Sequence, residues 1–127
     1  MNKPLKEKVI VVSGGTKGVG KTISEEFAKA GAKVVIGGRD EDAARKSIKI
    51  INTYGSEAIF VHTDLEKVED CKKLFDEAAN KFGKIDGFFN YAGVTPISPL
   101  DTCDEETFNQ VMNVNFRACF FCCQLAI

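Results

Sequence analysis

Four short, nearly all-apolar segments recur along this chain, and segments with helical periodicity separate them. The apolar segments begin near residues 9, 34, 58 and 85. Strands that are apolar along their whole length are buried on both faces, which is typical of parallel sheets covered by helices. Each helical segment is long enough for a right-handed crossover between parallel strands. The pattern therefore predicts an α/β fold with a doubly wound, Rossmann-type parallel sheet in the strand order 3-2-1-4.

Turn and capping residues mark where the predicted elements begin and end. The predicted strands are Val9–Ser13, Lys33–Gly38, Ala58–His62 and Ile85–Phe89. Gly31, Gly55 and Gly83 are placed to end the first three helices, and Asp40 is placed to cap the second. The apolar sides of these helices are predicted to be Ile23, Phe27 and Ala30, then Ala44, Ile48, Ile51 and Tyr54, then Val68, Cys71, Phe75, Ala78 and Phe82.

The last part of the chain has the pattern of a single helix after a loop. The loop covers residues 93–102, and helical periodicity then runs from about Asp104 to the last residue. The end of this helix is apolar nearly all round, owing to Phe116, Phe120, Phe121, Leu125 and Ile127. Since a helix of this kind is normally buried, we expect part of it to pack on the sheet and part to contact a partner. The partner is either another subunit or further polypeptide, and we favour a homo-oligomer formed through this helix.

Length and charge limit the class of protein. The 127 residues suit one modest domain, and the net charge is −1, with 17 basic and 18 acidic side chains. No block of like charge favours nucleic acid or an anionic membrane as a partner, and no apolar run is long enough to cross a bilayer. The first residues are polar and do not resemble a signal peptide, so we expect a cytoplasmic protein.

The five cysteines do not have the pattern of a disulfide framework or of a metal site. Cys119 and Cys122 have C-x-x-C spacing, but they lie within a helical pattern, with no histidine or further cysteine at the spacing of metal ligands. Free cysteine is among the most buried residue types. The cysteines are therefore predicted to be small buried thiols, and no metal is expected.

The strongest chemical signal is a glycine-rich turn between the first strand and the first helix. Gly14, Gly18 and Gly20 follow Val9–Ser13 directly. Glycines let the backbone turn tightly and approach a ligand, and the helix beyond them offers free N–H groups to a pyrophosphate. The spacing is G-x-x-x-G-x-G and differs from the general G-x-G-x-x-G fingerprint. On this motif alone, a plain turn that joins a strand to a helix stays open as the alternative.

Further motifs follow the glycine turn in a fixed order. They are Asp64 after the third strand, Asn90-Tyr91-Ala92-Gly93 after the fourth, and Asn113-Val114-Asn115 in the last helix. With them the chain resembles the short-chain dehydrogenase/reductase family, from about Leu5 to its last residue. The match covers only the N-terminal half of such an enzyme. The resemblance implies that residues 1–127 are an incomplete dinucleotide-binding domain, whose sheet stops before the later strands.

The resemblance also implies which residues contact the cofactor. The pyrophosphate and ribose are expected on Gly14, Thr16, Gly18, Val19 and Gly20, and the adenine is expected near Asp64 and Leu65. Asn90, Ala92 and Gly93 are expected to form the element that supports the central sheet and leaves room beside the cofactor. An Asp carboxylate at the end of the third strand can accept a hydrogen bond from the exocyclic amine of adenine. The alternative for Asp64 is that it only caps the following helix.

Charge at the end of the second strand bears on which dinucleotide binds. NAD sites use an acidic residue there to hold the ribose 2′-hydroxyl, but this chain has Gly38, followed by Arg39. Lys17 precedes the second motif glycine, so two cations are predicted to converge on a 2′-phosphate with no carboxylate to repel it. We therefore favour NADP(H) over NAD(H). A shift of one residue would instead bring Asp40 toward the ribose.

Two further positions are interpreted by resemblance. Asn115 matches the asparagine that, in the family, holds a water through its backbone and completes a proton relay, although Asn113 is a close rival and a purely structural hydrogen bond is an alternative. Tyr91 replaces the second asparagine of the family's Asn-Asn-Ala-Gly element, so its hydroxyl must find another partner or point elsewhere.

The function implied by the resemblance is hydride transfer between a nicotinamide and a small carbonyl or alcohol substrate. In the family a serine and a Tyr-x-x-x-Lys segment carry the proton chemistry, and neither Tyr54 nor Tyr91 begins such a segment. We therefore expect this chain to be the cofactor-binding half of such an enzyme and to be inactive alone. The alternatives are a short nucleotide-binding module without catalysis and an interaction subunit that docks through its apolar last helix.

Overall fold

Four parallel strands form one sheet. A computed structural model describes residues 2–127. The strands are β1 (Val9–Ser13), β2 (Lys33–Gly38), β3 (Ala58–His62) and β4 (Gly87–Asn90). Their order is β3-β2-β1-β4, and in the central register Val11 lies between Val35 of β2 and Phe88 of β4. The predicted strand order and parallel pairing are confirmed.

The fourth strand starts two residues later than predicted, because a side chain replaces a backbone partner there. The N–H of Val9 donates to the Asp86 carboxylate (2.8 Å), and the N–H of Asp86 donates to the Val9 carbonyl (2.8 Å). The segment before β4 is therefore tied to β1 through the Asp86 carboxylate instead of through a regular ladder.

Helices cover both faces of the sheet, as a doubly wound fold requires. They are α1 (Gly18–Lys29), α2 (Glu41–Thr53), α3 (Val68–Phe82), α4 (Glu105–Val111) and α5 (Ala118–Ala126), with a π-helical segment at Met112–Arg117. One apolar core joins the sheet to α1 and α2, and a second joins the opposite face to α3 and α5. The predicted fold class is confirmed.

The predicted inner side of α1 is wrong by one position. The residues buried against the sheet are small, namely Gly20, Ser24 and Ala28, while Phe27 packs at the margin against Phe89 with ring centroids 6.0 Å apart. Small residues let α1 lie close to the sheet behind the glycine turn. The predicted inner sides of α2 and α3 are confirmed at Ala44, Ile51, Cys71, Phe75 and Ala78.

The last helix differs from its prediction in one respect, the π-helical segment in its path. Its apolar residues are largely exposed: Phe116 by 63% and Phe120 by 56%. Only Ala118 and Cys122 are fully buried in α5, because only the side of the helix that carries them meets α3 and the sheet. Part of the helix therefore packs on the sheet as expected, and the partner expected for the exposed part stays a prediction.

The prediction of buried thiols holds for two of the five cysteines. Cys71 and Cys122 are buried together between α3 and α5, and a hydrogen bond between them, with burial, raises the pKa of the Cys122 thiol. Cys119 is half-buried, while Cys103 and Cys123 are exposed. Cys103 lies in the loop before α4 and Cys123 lies in α5, and no other element of the described chain covers either side chain.

Candidate functional site

A large open cleft lies at the carboxyl end of the sheet. Its volume is about 940 Å³. Because β1 leads into a helix on one face of the sheet and β4 leads toward helices on the other, their loops diverge and leave a crevice between them. The lining residues come from the loops after all four strands and from the last helix: Gly14, Thr16, Lys17, Gly38, Arg39, Asp40, Glu41, Asp42, Thr63, Asp64, Leu65, Glu66, Tyr91, Ala92, Gly93, Val94, Thr95, Gln110 and Val114.

The turn between β1 and α1 is packed so closely that it admits no side chain at two of its glycines. A Cβ atom on Gly14, where φ is +77°, would lie 2.8 Å from the Ala92 backbone. A Cβ atom on Gly20 would lie 2.1 Å from the Gly14 carbonyl oxygen. Both positions therefore require glycine. The turn brings the start of α1 against the loop that follows β4.

The amino terminus of α1 is left open to an anion. Its cap position is Lys17, whose side chain cannot accept a hydrogen bond, and its first turn contains no acidic residue. By contrast, α2 and α4 are capped by the carboxylates of Asp40 and Asp104, which accept from Ala43 (3.0 Å) and Thr107 (2.7 Å). The free N–H groups and positive dipole end of α1 can thus hold a phosphate.

Two cations and a carboxylate lie together where the turn before α1 faces the end of β2. Lys17 and Arg39 both line the cleft, but the expectation that no carboxylate lies beside them is wrong. The Asp40 carboxylate is 3.6 Å from the Lys17 ammonium. The hydrogen bond from the Ala43 N–H, with the charge of Lys17, lowers the pKa of Asp40. This end of the cleft therefore has mixed charge.

The loop after β3 places Asp64 in the cleft wall. Its carboxylate accepts from the Glu66 N–H (3.0 Å), and its own N–H donates to the Asp70 carboxylate (2.8 Å). Since α3 begins at Val68, the alternative of Asp64 as the cap of that helix is wrong. The Arg117 guanidinium of the π-helical segment donates to the Glu66 carbonyl and supports this loop from behind.

The loop after β4 is anchored on the end of β1. The Asn90 side chain accepts from the Ser13 hydroxyl (3.1 Å), and the N–H groups of Tyr91 and Ala92 both donate to the Ser13 carbonyl (3.1 and 3.0 Å). Asn90 thus lies behind the cleft and supports it. The Tyr91 ring is 43% exposed and lies against Gly20, so this tyrosine points over the turn between β1 and α1.

Asn115 joins the π-helical segment to the loop after β4. Its side-chain oxygen accepts from the Val94 N–H and its side-chain amide donates to the Val94 carbonyl, both at 2.7 Å. No side-chain hydrogen bond of the rival Asn113 is present among the described residues. The structural hydrogen bond that the sequence left open is therefore present, and it occurs within a distortion of the helix.

The structure divides the predicted site residues into two groups. Those that line the cleft are Gly14, Thr16, Lys17, Arg39, Asp64, Leu65, Ala92 and Gly93. Those that stand behind it or in the first turn of α1 are Gly18, Val19, Gly20, Asn90 and Asn115. Thr63 was missed, although a polar residue directly after an apolar strand marks the edge where sites form in parallel sheets. Gln110 was also missed, and one polar residue on a helix gives no such signal.

Residues 2–127 contain no group of three or more His, Cys, Asp or Glu side chains placed to hold a metal ion. No helix in the same range combines the length and the hydropathy that crossing a bilayer demands.

Comparisons with known proteins give a consistent result. A family profile described as short chain dehydrogenase matches residues 8–127. An uncharacterized oxidoreductase of Listeria monocytogenes is 37% identical over 113 residues, which cover 89% of this chain and 46% of that relative. A solved short-chain dehydrogenase/reductase from Serratia marcescens superposes with a TM-score of 0.94 at 27% identity, over 97% of this chain and 51% of that one. A short chain dehydrogenase from Burkholderia cenocepacia, solved in complex with NADP, superposes with a TM-score of 0.93 at 29% identity. The superposition covers 96% of this chain and 50% of that one. The chain thus spans about half the length of the proteins it matches.

Proposed function

This chain belongs to the short-chain dehydrogenase family, and we propose that it is the cofactor-binding half of an NADP(H)-dependent oxidoreductase. The observation that carries the proposal is the junction of β1, α1 and β4. There, a turn that excludes side chains at Gly14 and Gly20 leads into a helix whose first N–H groups have no side-chain cap in the described chain. Both properties suit a pyrophosphate, which needs close approach to the backbone and free N–H groups.

The residues of the cleft suit the parts of a dinucleotide. The first turn of α1, at Gly18 and Val19, would hold the pyrophosphate, and Thr16 lies beside it in the wall. Asp64 and Leu65 would contact the adenine, since the Asp64 carboxylate keeps acceptor capacity beyond its bond from Glu66. A bound nicotinamide supplies hydride transfer. The chain's own residues position the dinucleotide and shape the cleft beside Ala92 and Gly93.

The preference for NADP(H) over NAD(H) rests on Arg39. This guanidinium lines the cleft at the end of β2 and forms no ion pair within the described part of the chain. A 2′-phosphate on the ribose would give it a charge-assisted partner. The Burkholderia neighbour solved with NADP supports the same choice.

We propose a small carbonyl or alcohol as the substrate, on family grounds alone. Neither Tyr54 nor Tyr91 begins a Tyr-x-x-x-Lys segment, so the 127 residues alone are expected to show no carbonyl reduction. Asn115 would contribute by positioning, because it fixes the loop at Val94 that forms one wall of the cleft. A cytoplasmic location stays a prediction.

We further propose that the last helix forms a homo-oligomer contact. Its exposed large side chains recur every fourth residue, at Phe108, Met112, Phe116 and Phe120. That spacing places an apolar stripe along one side of the α4–α5 path, and stripes of this kind usually mark protein contacts. A second copy of the chain would bury it.

Replacement of Arg39 by Ala tests the cofactor preference. Isothermal titration of the 127-residue chain should show NADPH affinity reduced about tenfold or more, because a charge-assisted hydrogen bond is lost, with NADH affinity changed less than about threefold. Lys72→Ala is the control, since Lys72 is an exposed cation of α3 that pairs with Asp76, and neither residue lines the cleft. Equal losses for both cofactors in Arg39→Ala would refute the preference, and no binding of either cofactor to the unaltered chain would refute the proposed function.

A further inference from the structure

Asp40 is the residue at the adenosine end of the cleft whose role the proposed function leaves open. Its two carboxylate oxygens have different partners. One accepts the Ala43 N–H at 3.0 Å, which fixes the carboxylate at the start of α2. The other is 3.6 Å from the Lys17 ammonium. Because the backbone bond holds the carboxylate in place, Asp40 cannot rotate away from Lys17 without uncapping α2.

The two cations at this end of the cleft are therefore not equivalent. Lys17 has a carboxylate beside it, whereas Arg39 has no ion-pair partner anywhere in residues 2–127. The Lys17 side chain is 76% exposed, so only this contact and its own flexible stem limit where the ammonium lies. An anion that draws Lys17 toward itself must compete with Asp40 and must then lie near a fixed negative charge.

We propose that Asp40 limits the selectivity of the cleft for a 2′-phosphorylated adenosine, by holding the Lys17 ammonium as a neutral pair. The proposal deepens the proposed function and rests on it, because it concerns how strongly the same site prefers NADP(H). Arg39 supplies the uncompensated positive charge for the phosphate, and Lys17 contributes only to the extent that Asp40 releases it. Removing the charge of Asp40 should then increase the discrimination between phosphorylated and unphosphorylated adenosine.

The variant Asp40→Asn removes the charge and keeps the cap, since Asn is as good an N-cap as Asp. Asp40→Ser provides a second neutral cap if the first variant folds poorly. Asp104→Asn is the matched control, because Asp104 caps α4 through the same type of bond to Thr107 and lies outside the cleft wall. It changes the net charge of the protein by the same amount. Far-UV circular dichroism and thermal melting establish that each variant is folded.

The probes are 2′,5′-ADP and 5′-AMP, which differ at the 2′ position and need no nicotinamide pocket. Isothermal titration of the 127-residue chain measures both. We expect Asp40→Asn to increase the affinity for 2′,5′-ADP about three- to tenfold, which is the effect expected from removing one surface charge near a phosphate. The affinity for 5′-AMP should change less than about twofold. Asp104→Asn should change neither affinity by more than about twofold. Raising the salt from about 0.05 M to about 0.5 M should reduce the gain by more than half, because the charges are exposed.

A Lys17→Met background tests whether Asp40 acts through Lys17. There the gain from Asp40→Asn should fall below about twofold. An equal gain with and without Lys17, or no gain for 2′,5′-ADP in either neutral variant, overturns the proposal. If the unaltered chain does not prefer 2′,5′-ADP but Asp40→Asn does, the proposed preference for NADP(H) fails while the role of Asp40 is supported. If no variant binds either probe, both fail.

Discussion

The double hydrogen bond of Asn115 makes a measurable prediction for the loop after β4. The Asn115 side chain accepts the Val94 N–H and donates to the Val94 carbonyl, both at 2.7 Å. A hydrogen bond of this type contributes about 0.5–1.5 kcal/mol. Because Asn115 is exposed and water can replace the lost partners, we take the lower part of the range, about 1–2 kcal/mol for the two bonds in Asn115→Ala.

Hydrogen exchange at the Val94 amide reports this loss directly, since that N–H is the donor of one of the two bonds. An opening free energy lower by about 1–2 kcal/mol corresponds to exchange about five- to thirtyfold faster. The measurement is made by NMR on the folded chain at constant pH. Amides of β1, such as that of Val11, lie in the buried sheet and serve as the internal reference.

Asn113→Ala is the control, because Asn113 lies in the same π-helical segment and forms no side-chain hydrogen bond among residues 2–127. It should leave exchange at Val94 within about twofold of the unaltered chain. Unchanged exchange at Val94 in Asn115→Ala would refute the reasoning. So would an equal acceleration by Asn113→Ala, because the helix distortion rather than the Asn115 side chain would then hold the loop.

Three further predictions concern packing, acid stability and association. Gly20→Ala places a Cβ atom 2.1 Å from the Gly14 carbonyl oxygen and should lower the free energy of unfolding in urea by about 3 kcal/mol. Gly87→Ala, where the nearest atom is 3.8 Å away, should cost less than about 1 kcal/mol, and equal costs would contradict the close packing. The hydrogen bond from the Val9 N–H, with that from Lys84, lowers the pKa of Asp86 in the folded chain below its ordinary value of 3.8. The ionised Asp86 carboxylate therefore stabilises the fold fully above pH 3.8, and this contribution is lost as the pH falls through the folded pKa. The urea midpoint should therefore fall on acidification from about pH 5 to about pH 3, and it should fall less in Asp86→Asn; identical acid profiles would exclude this role. Replacing Phe116 and Phe120 together by Ser should convert an oligomer, measured by light scattering, to the 13.9 kDa monomer, and a monomeric unaltered chain would contradict the proposed contact.

The fold was predictable from the sequence because burial on both faces leaves a clear pattern. Short runs that are apolar almost throughout are typical of parallel sheets covered by helices, and every residue of β1 (Val9–Ser13) is buried. Helix ends could also be predicted from the sequence. Gly83 was predicted to end α3, and it does so in a left-handed conformation with φ of +79°. These signals are local and need no knowledge of the tertiary contacts.

The features that escaped prediction depend on tertiary distance. Hydrophobicity favoured Ile23 and Phe27 as the inner side of α1, but the close approach of α1 to the sheet selects the small Ser24 and Ala28. The π-helical segment lies within an unbroken helical pattern, so sequence periodicity gives no sign of it. Its contact with Val94 depends on where the loop after β4 lies in the folded chain, so the sequence pattern of the helix cannot predict it.

Several residues of the cleft wall could be named from the sequence, but the balance of charge among them could not. Lys17 in the turn before α1 and Arg39 after β2 were identified as the two cations of this region, and both line the cleft. The start of α2 at Asp40 was predicted, but how close its carboxylate lies to Lys17, on a separate loop, depends on the tertiary structure. The capping bond to Ala43 is what brings the Asp40 carboxylate beside Lys17.

The contrast between the starts of α1 and α2 also orients a ligand in the cleft. Both helices begin at the carboxyl edge of the sheet, so both present a positive dipole end there. At α2 that end is already satisfied by the Asp40 carboxylate and faces two further acids, Glu41 and Asp42. At α1 no acid lies in the first turn. A doubly charged pyrophosphate therefore gains most at α1, and the adenosine must extend toward β2, where Arg39 and the pair of Lys17 with Asp40 decide how well a further phosphate is accepted.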